Sequence, residues 1–200
     1  MKGILMATGL EAKPFIESKF FDPVEDKPFP VYRYDTHYLI VSGIGKINAS
    51  IASTYLISKF KIGTMYNIGA AGTAVDSFRL GDILHINSVT DYSQWLNTRL
   101  ESKSLKPDTL QNYKSESLAT CDMAVISSEE RTLVSMAASL IDMEGFAIAQ
   151  TCKIFNIKNY LFKIITDTPA NTAENEIISN IKNTRDLLYQ FFMDNFLKKK

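Results

Sequence analysis

Two glycine-rich segments constrain what this chain can fold into more than any other feature of its sequence. They are Ser42–Lys46 (SGIGK) and Asn67–Gly72 (NIGAAG), and each follows an apolar run that is typical of a buried strand. Glycine has no Cβ, so the backbone at such a position can approach a bound molecule closely. We therefore predict two turns that follow strands and line a site for a small molecule.

Predicted strands and helices alternate along the chain. Strand-like patterns cover 3–8, 31–35, 37–41, 64–68, 81–89, 118–126, 139–143 and 159–166. Helical patterns cover 10–19, 46–60, 129–137, 145–155 and 172–197, and the second of them carries apolar residues at helical spacing, namely Ile47, Ile51, Leu56 and Phe60. Pro14 is compatible with the first helix only in its first turn. The alternation predicts an α/β sheet with helices on both faces, and a hairpin over 31–41 makes that sheet mixed.

Composition excludes several classes of protein. The chain has 200 residues without a repeat or a linker, which predicts one domain over residues 1–200. Lys+Arg and Asp+Glu both number 22, and this neutral balance argues against nucleic acid as the partner. No apolar run approaches the ~20 residues that cross a bilayer, so no membrane is expected. Cys121 and Cys152 lack metal-ligand spacing and indicate reduced thiols in a cytoplasmic protein, with Cys152 in the core.

Six motifs carry a family resemblance. In chain order they are GILMATGLEAKPF, VSGIGKINAS, YNIGAAGTA, FRLGDIL, LIDMEGFAIAQTC and FKIITDTPAN. With these the chain resembles the nucleoside phosphorylase/nucleosidase family, and within it the methylthioadenosine/S-adenosylhomocysteine nucleosidases. The resemblance implies a three-layer αβα sandwich around a central mixed, barrel-like sheet. It also implies hydrolysis of the N-glycosidic bond of a 5'-modified purine nucleoside, with no cofactor and no metal.

The implied reaction needs a proton for the leaving base and a nucleophile at the anomeric carbon. The resemblance assigns the general acid to Asp167, which ends the apolar run FKIIT, and the activation of water to Glu11. Each residue also has a purely structural interpretation. Asp167 would cap the following loop or helix, and Glu11 would be an exposed acid in the first turn of a helix.

The resemblance also assigns the residues that hold the substrate. Glu144 accepts hydrogen bonds from both ribose hydroxyls, and Met143 packs against the sugar unless it is ordinary core. Asp142 stands where many relatives have glutamate. Further contacts to the substrate are expected from Gly43, Gly45, Ala71, Gly72, Val125 and Thr166.

Two positions favour water over phosphate as the acceptor. Hexameric purine phosphorylases bind phosphate through an arginine and a serine around the second glycine segment, and this chain has Asn67 and Ala70 there. Futalosine hydrolase remains an alternative, since Ala124 replaces an aromatic residue in the base-contact stretch. A phosphorolytic purine nucleoside phosphorylase and an inactive nucleoside-binding homologue are further alternatives.

The segment 92–117 has no clean period, and we interpret it as a loop or a short helix. It contains apolar side chains that a lone domain would leave partly exposed, namely Trp95, Leu96, Leu100 and Leu105. We therefore expect a homodimer with this segment at or near the interface and the active site. Trp95 or Leu96 is a candidate for the pocket of the 5' substituent.

Overall fold

One mixed sheet with helices on both sides forms the molecule, and the computed structural model describes residues 1–98, 104–170 and 173–197. The strands are β1 (Lys2–Met6), β2 (Asp22–Glu25), β3 (Val31–Tyr34), β4 (His37–Val41), β5 (Thr64–Thr73), β6 (Ile83–Asp91), β7 (Ser115–Thr120), β8 (Leu140–Asp142) and β9 (Lys158–Asp167). The helices are α1 (Gly9–Ile16), α2 (Lys46–Phe60), α3 (Tyr92–Thr98), α4 (Ser128–Ser135), α5 (Gly145–Ile154) and α6 (Glu174–Phe192). A π-helical segment, Met193–Leu197, continues α6 directly.

The sheet closes on itself at one end. Its strand order is β2-β3-β4-β1-β5-β8-β7-β6-β9, and β9 also pairs in parallel with β5. The strands β5, β8, β7, β6 and β9 therefore form a closed ring, from which β1, β4, β3 and β2 extend as an open sheet. The predicted hairpin is present as the antiparallel pair β3–β4. The predicted α/β fold with a mixed, barrel-like sheet is confirmed.

Helices cover both faces because neighbouring side chains of a strand point to opposite sides. In β1, Ile4 and Met6 belong to the hydrophobic cluster that includes Phe15 of α1 and several residues of α6. Leu5 belongs to the opposite cluster, with Leu56 of α2 and residues of α5. Within the described ranges, no helix is long and apolar enough to cross a bilayer.

The prediction of a turn over Asn67–Gly72 is wrong, because these residues lie inside β5. The strand continues through them and is hydrogen-bonded to β9 along its length. Glycine and alanine are poor strand formers, but here the segment pairs with β9 throughout, and β5 also pairs with β1 as far as Asn67 and with β8 from Gly72. Glycine is required at Gly69 and Gly72 because the side chains of Glu11 and Asp167 lie against them.

Several predicted boundaries also differ. The strand predicted over 118–126 is β7, which begins earlier, at Ser115, and ends at Thr120. The segment 92–117 thus contributes α3 and the start of β7. Its Leu100 lies outside the described residues, and so does Thr172 at the predicted start of the last helix. The sequence pattern did not reveal β2, whose residues are mostly exposed.

Only part of the predicted apolar face of α2 is buried. Its buried residues include Ala49, Ala52 and Leu56, whereas Ile47 and Ile51 are exposed. The small alanines let the helix lie close to the sheet and α5. The two isoleucines consequently form part of an apolar surface on the outside of the described chain.

Pro14 lies beyond the first turn of α1, so the prediction for its position is wrong. Proline has no N–H and cannot donate to the carbonyl of Leu10. Arg185 of α6 replaces that bond, since its Nη1 donates to Leu10 O over 3.1 Å. Tertiary contact therefore makes proline acceptable in the middle of a short helix.

Candidate active site

A cavity lies where β1, β5 and β9 end, beside the start of α1 and the residue before α5. The predicted site residues that line it are Glu11, Ala71, Gly72, Val125, Met143, Glu144, Thr166 and Asp167. Gly43 and Gly45 are not part of its wall, although Gly45 contacts the site through Glu144. Trp95 and Leu96 do not line it either; Trp95 stacks on Tyr92 instead.

Glu11 is held rigidly and is buried, so the alternative of an exposed first-turn acid is wrong. It forms a capping box with Thr8, whose backbone N–H and hydroxyl donate to Oε2 over 2.9 and 2.6 Å. The backbone N–H of Ala70 donates to Oε1 over 2.8 Å. Glu11 thus caps α1 and also presents a fixed carboxylate to the cavity.

Two glycines of β5 make room for the two carboxylates. A Cβ on Gly69 would lie 2.8 Å from Glu11 Oε1, and a Cβ on Gly72 would overlap Asp167 Oδ2. Atoms this close cannot coexist without movement of the carboxylates. The NIGAAG segment therefore brings the backbone of β5 against Glu11 and Asp167. The sequence predicted a close approach of this backbone to a bound molecule, and in the structure it closely approaches these two side chains.

An irregularity in β9 directs Asp167 into the cavity. Ala71 pairs with Ile165 and Gly72 pairs with Asp167, which leaves Thr166 as an extra residue in β9. Neighbours in a regular strand point to opposite sides, whereas Thr166 and Asp167 both line the cavity. The bulge is the local cause of this arrangement.

Asp167 is paired with a buried arginine that the sequence analysis missed. Arg131 of α4 forms an ion pair through Nη2 with Asp167 Oδ2, and its side chain is 2% exposed. The other carboxylate oxygen, Oδ1, accepts a hydrogen bond from Thr166 Oγ1 over 3.2 Å. In the sequence, Arg131 looks like a solvated charge in the polar run SSEERT, so no local signal identified it.

Glu144 precedes α5 and lies beside the first glycine-rich segment. Its Oε1 accepts a hydrogen bond of 2.7 Å from the backbone N–H of Gly45, which has φ +97°. Burial, and after it the nearby charge of Asp142, raises the pKa of Glu144 to about 7, against the opposing effects of Lys163 and the Gly45 hydrogen bond. Glu144 is therefore a carboxyl group that changes charge near neutral pH.

Lys163 of β9 is the second buried cation that sequence reasoning missed. Its Nζ lies 2.7 Å from Asp142 Oδ2, and both side chains are 1% exposed. Asp142 Oδ1 accepts from Thr120 Oγ1 over 2.7 Å. Burial opposes the charge of Lys163, but the carboxylates of Asp142 and Glu144 raise its pKa above the ordinary value. Asp142 thus anchors a lysine beneath the cavity, in the middle of an otherwise apolar strand.

The exposed part of the cavity wall is apolar. Ile44, Met123, Ile177 and Ile181 line the cavity, and the first two are largely exposed. Neither lysine nor arginine is among the wall residues of the described chain. Across the same residues, no group of histidine, cysteine or acidic side chains is arranged to hold a metal ion.

The fold and the cavity define an α/β protein with a closed mixed sheet and a small-molecule site built from buried carboxylates. Residues 2–122 match the Phosphorylase superfamily. The chain belongs to this superfamily, and the family resemblance predicted from the six motifs is confirmed.

Named relatives fall in the same group. A 5'-methylthioadenosine/S-adenosylhomocysteine nucleosidase of Staphylococcus aureus is 31% identical over 157 residues, which span 66% of this chain and 69% of the relative. The native structure of futalosine hydrolase of Helicobacter pylori aligns with a TM-score of 0.82 at 19% identity, covering 98% of this chain and 97% of that one. The H. pylori 5'-methylthioadenosine/S-adenosylhomocysteine nucleosidase with butyl-thio-DADMe-Immucillin-A has a TM-score of 0.80 at 18% identity, covering 98% of both chains.

Proposed function

We propose that this protein is an N-ribosyl hydrolase that cleaves the N-glycosidic bond of a 5'-modified purine nucleoside and releases the free base and the free sugar. The observation that carries the proposal is the convergence of Glu11, Glu144 and Asp167 on one cavity. The S. aureus relative, named a 5'-methylthioadenosine/S-adenosylhomocysteine nucleosidase, supports the same reaction class and substrates.

Each carboxylate has one role in this reaction. Asp167 donates a proton to the leaving base, while the electron pair of the breaking C–N bond moves onto the base. Glu11 orients a water molecule and accepts its proton as the water attacks the anomeric carbon, the logic of an inverting glycosidase. Its bonds to Thr8 and Ala70 fix the carboxylate for this task. Glu144 accepts hydrogen bonds from the ribose hydroxyls, with Met143 beside the sugar.

Gly69 and Gly72 mark where Glu11 and Asp167 contact β5. Three residues of extended strand span roughly 10 Å, so the two carboxylates contact β5 at separate points. This separation supports two different tasks, one at the water and one at the base.

Water as the acceptor is supported by what surrounds the cavity. Phosphate binding needs fixed cations, and the described wall contains none. Asn67 is buried and turned away, since its Nδ2 donates to Leu5 O over 3.2 Å. Lys163 and Arg131 lie near the wall, but each is already paired with a carboxylate.

The apolar, exposed part of the cavity wall supports an apolar group at the 5' position of the substrate, such as a thioether. The base is contacted by Val125 and Ala124 in this proposal. Because Ala124 offers no aromatic ring for stacking, futalosine remains the alternative substrate. If futalosine is the substrate, the protein is a futalosine hydrolase.

We also propose a cytoplasmic homodimer. Its support is the apolar surface on the outside of α2 and α5, where Ile47, Ile51 and Ile154 are more than half exposed. In the segment 92–98, Leu96 is exposed as well. The cytoplasmic compartment is supported by the free thiols of Cys121 and Cys152. Sedimentation at micromolar concentration tests the assembly, and a monomer would contradict it.

The proposed reaction is tested with a panel of purine nucleosides. Purified protein is incubated with methylthioadenosine, S-adenosylhomocysteine, futalosine, adenosine and inosine, and the released base and sugar are identified. We expect the fastest cleavage with the 5'-thioether substrates. Preference for futalosine selects the alternative, and failure to cleave any of the five refutes the proposal.

A further inference from the structure

Arg131 connects three residues from separate segments of the chain at the cavity, two of which line its wall. Its Nη1 donates to the carbonyl of Thr73 over 2.7 Å, and its Nη2 donates to the carbonyl of Val125 over 2.9 Å and pairs with Asp167. Thr73 ends β5, Val125 belongs to the irregular segment that follows β7, and Asp167 ends β9. The guanidinium itself does not line the cavity.

Burying a guanidinium group costs free energy, because the charge loses its hydration and is stable only when it is paired and hydrogen-bonded. In Arg131 the two Nη atoms have such partners, whereas Nε has none among the described residues. Arginine rather than lysine fits this position because its planar fork reaches several acceptors at once.

The contacts of Asp167 divide its two oxygens between different tasks. Oδ2 is occupied by Arg131, whereas among the described residues Oδ1 accepts one hydrogen bond, the long bond from Thr166 Oγ1. Oδ1 is therefore the oxygen that remains to carry a proton. When that proton moves to the base and the C–N bond breaks, Asp167 is left as a carboxylate whose charge is already compensated by Arg131.

We propose that Arg131 is a positioning residue for the general acid. It fixes the plane of the Asp167 carboxyl, compensates the negative charge that develops there during proton transfer, and holds Val125 beside the base in the same register. This inference rests on the proposed function, and it adds a residue that lies outside the cavity wall.

The test compares two substrates that differ in their need for an acid. One is a purine nucleoside that the wild-type protein cleaves. The other is a riboside with the same 5' group and a 4-nitrophenolate leaving group, which departs without a proton. We expect Arg131→Met to lower kcat on the purine nucleoside by at least about tenfold, within the ~10²–10⁴-fold that a general acid contributes. On the nitrophenyl riboside its kcat should stay within about twofold of wild type.

Two further variants separate positioning from stability. Arg131→Lys keeps the charge without the fork, so its kcat on the purine nucleoside should lie between those of wild type and Arg131→Met; it carries the test by itself if the methionine variant does not fold. Arg185→Met removes another arginine that donates to a backbone carbonyl, and it should leave the ratio of the two rates unchanged. In an Asp167→Asn background, Arg131→Met should cost much less than in the wild-type protein, because only the contact with Val125 is then left to lose.

Three results would overturn the inference: an unchanged kcat on the purine nucleoside, an equal loss on both substrates, or a full additional loss in the Asp167→Asn background. Cleavage of the purine nucleoside by the wild-type protein is measured first. Its absence would overturn the proposed function and this inference with it, whereas an active wild type with an unchanged rate ratio in the variants overturns only the role of Arg131.

Discussion

Replacing Glu144 by glutamine should make the protein's stability less dependent on pH. In the folded state the pKa of Glu144 is raised from 4.5 to about 7, mainly by burial and next by the charge of Asp142. The folded protein therefore binds a proton at this residue that the unfolded chain has already released between these two values. Folding stability consequently falls as pH rises from about 4.5 to about 7.

The size of the effect follows from the pKa difference. A shift of about 2.5 units at ~1.4 kcal/mol per unit corresponds to about 3 kcal/mol of lost stability at pH 8 relative to pH 4. Glutamine cannot ionise, and its amide oxygen can still accept the hydrogen bond from Gly45. The free energy of unfolding of Glu144→Gln, taken relative to wild type, should therefore increase by about 3 kcal/mol between pH 4 and pH 8.

Urea unfolding at several pH values measures this difference directly. The exposed residue Glu176 of α6 provides the matched control, and Glu176→Gln should follow the wild type across the range. A Glu144→Gln difference that is constant with pH would refute the reasoning, since it would mean that Glu144 titrates alike in the folded and unfolded protein. A difference that shrinks with rising pH would give the wrong sign.

Two further predictions concern the carboxylates and the glycine beside them. Asp167→Asn should lower kcat on a purine nucleoside by ~10²–10⁴-fold, and its kcat should recover on a riboside whose leaving group needs no proton. Glu11→Gln should have a low kcat on both substrates. Equal recovery of the two variants would contradict the assigned roles. Gly72→Ala should lower activity by at least about tenfold because its Cβ overlaps Asp167 Oδ2, while Gly63→Ala, whose Cβ meets nothing within 4 Å, should remain active. Wild-type kinetics for Gly72→Ala would show that Asp167 can move away without loss.

The sequence predicted the order of elements well because apolar periodicity and breakers are local signals. The hairpin β3–β4 and the bounds of α2 agree with the structure. The pattern misled where local preference and tertiary contact conflict. The NIGAAG segment has the composition of a turn, yet it is a strand because it pairs with β9 along its length and its glycines clear space for Glu11 and Asp167.

The candidate site was predicted through the family resemblance, at residues that start helices or end strands. Glu11 lies in the first turn of α1, Glu144 directly precedes α5 and Asp167 ends β9, and all three line the cavity. Arg131 and Lys163 were not predictable, because a charge in a polar helix looks solvated and a lysine in an apolar strand looks like an edge residue. Their burial depends on Asp167 and Asp142, which are distant in the sequence.

Cleavage in water enriched in heavy oxygen tests the central claim most directly. The protein is given its preferred purine nucleoside in labelled water, with and without phosphate, and the sugar product is analysed by mass spectrometry. Hydrolysis through a water held by Glu11 predicts one labelled oxygen on the anomeric carbon of a free sugar, at a rate that phosphate does not change. A sugar 1-phosphate, or cleavage that requires phosphate, would contradict the account.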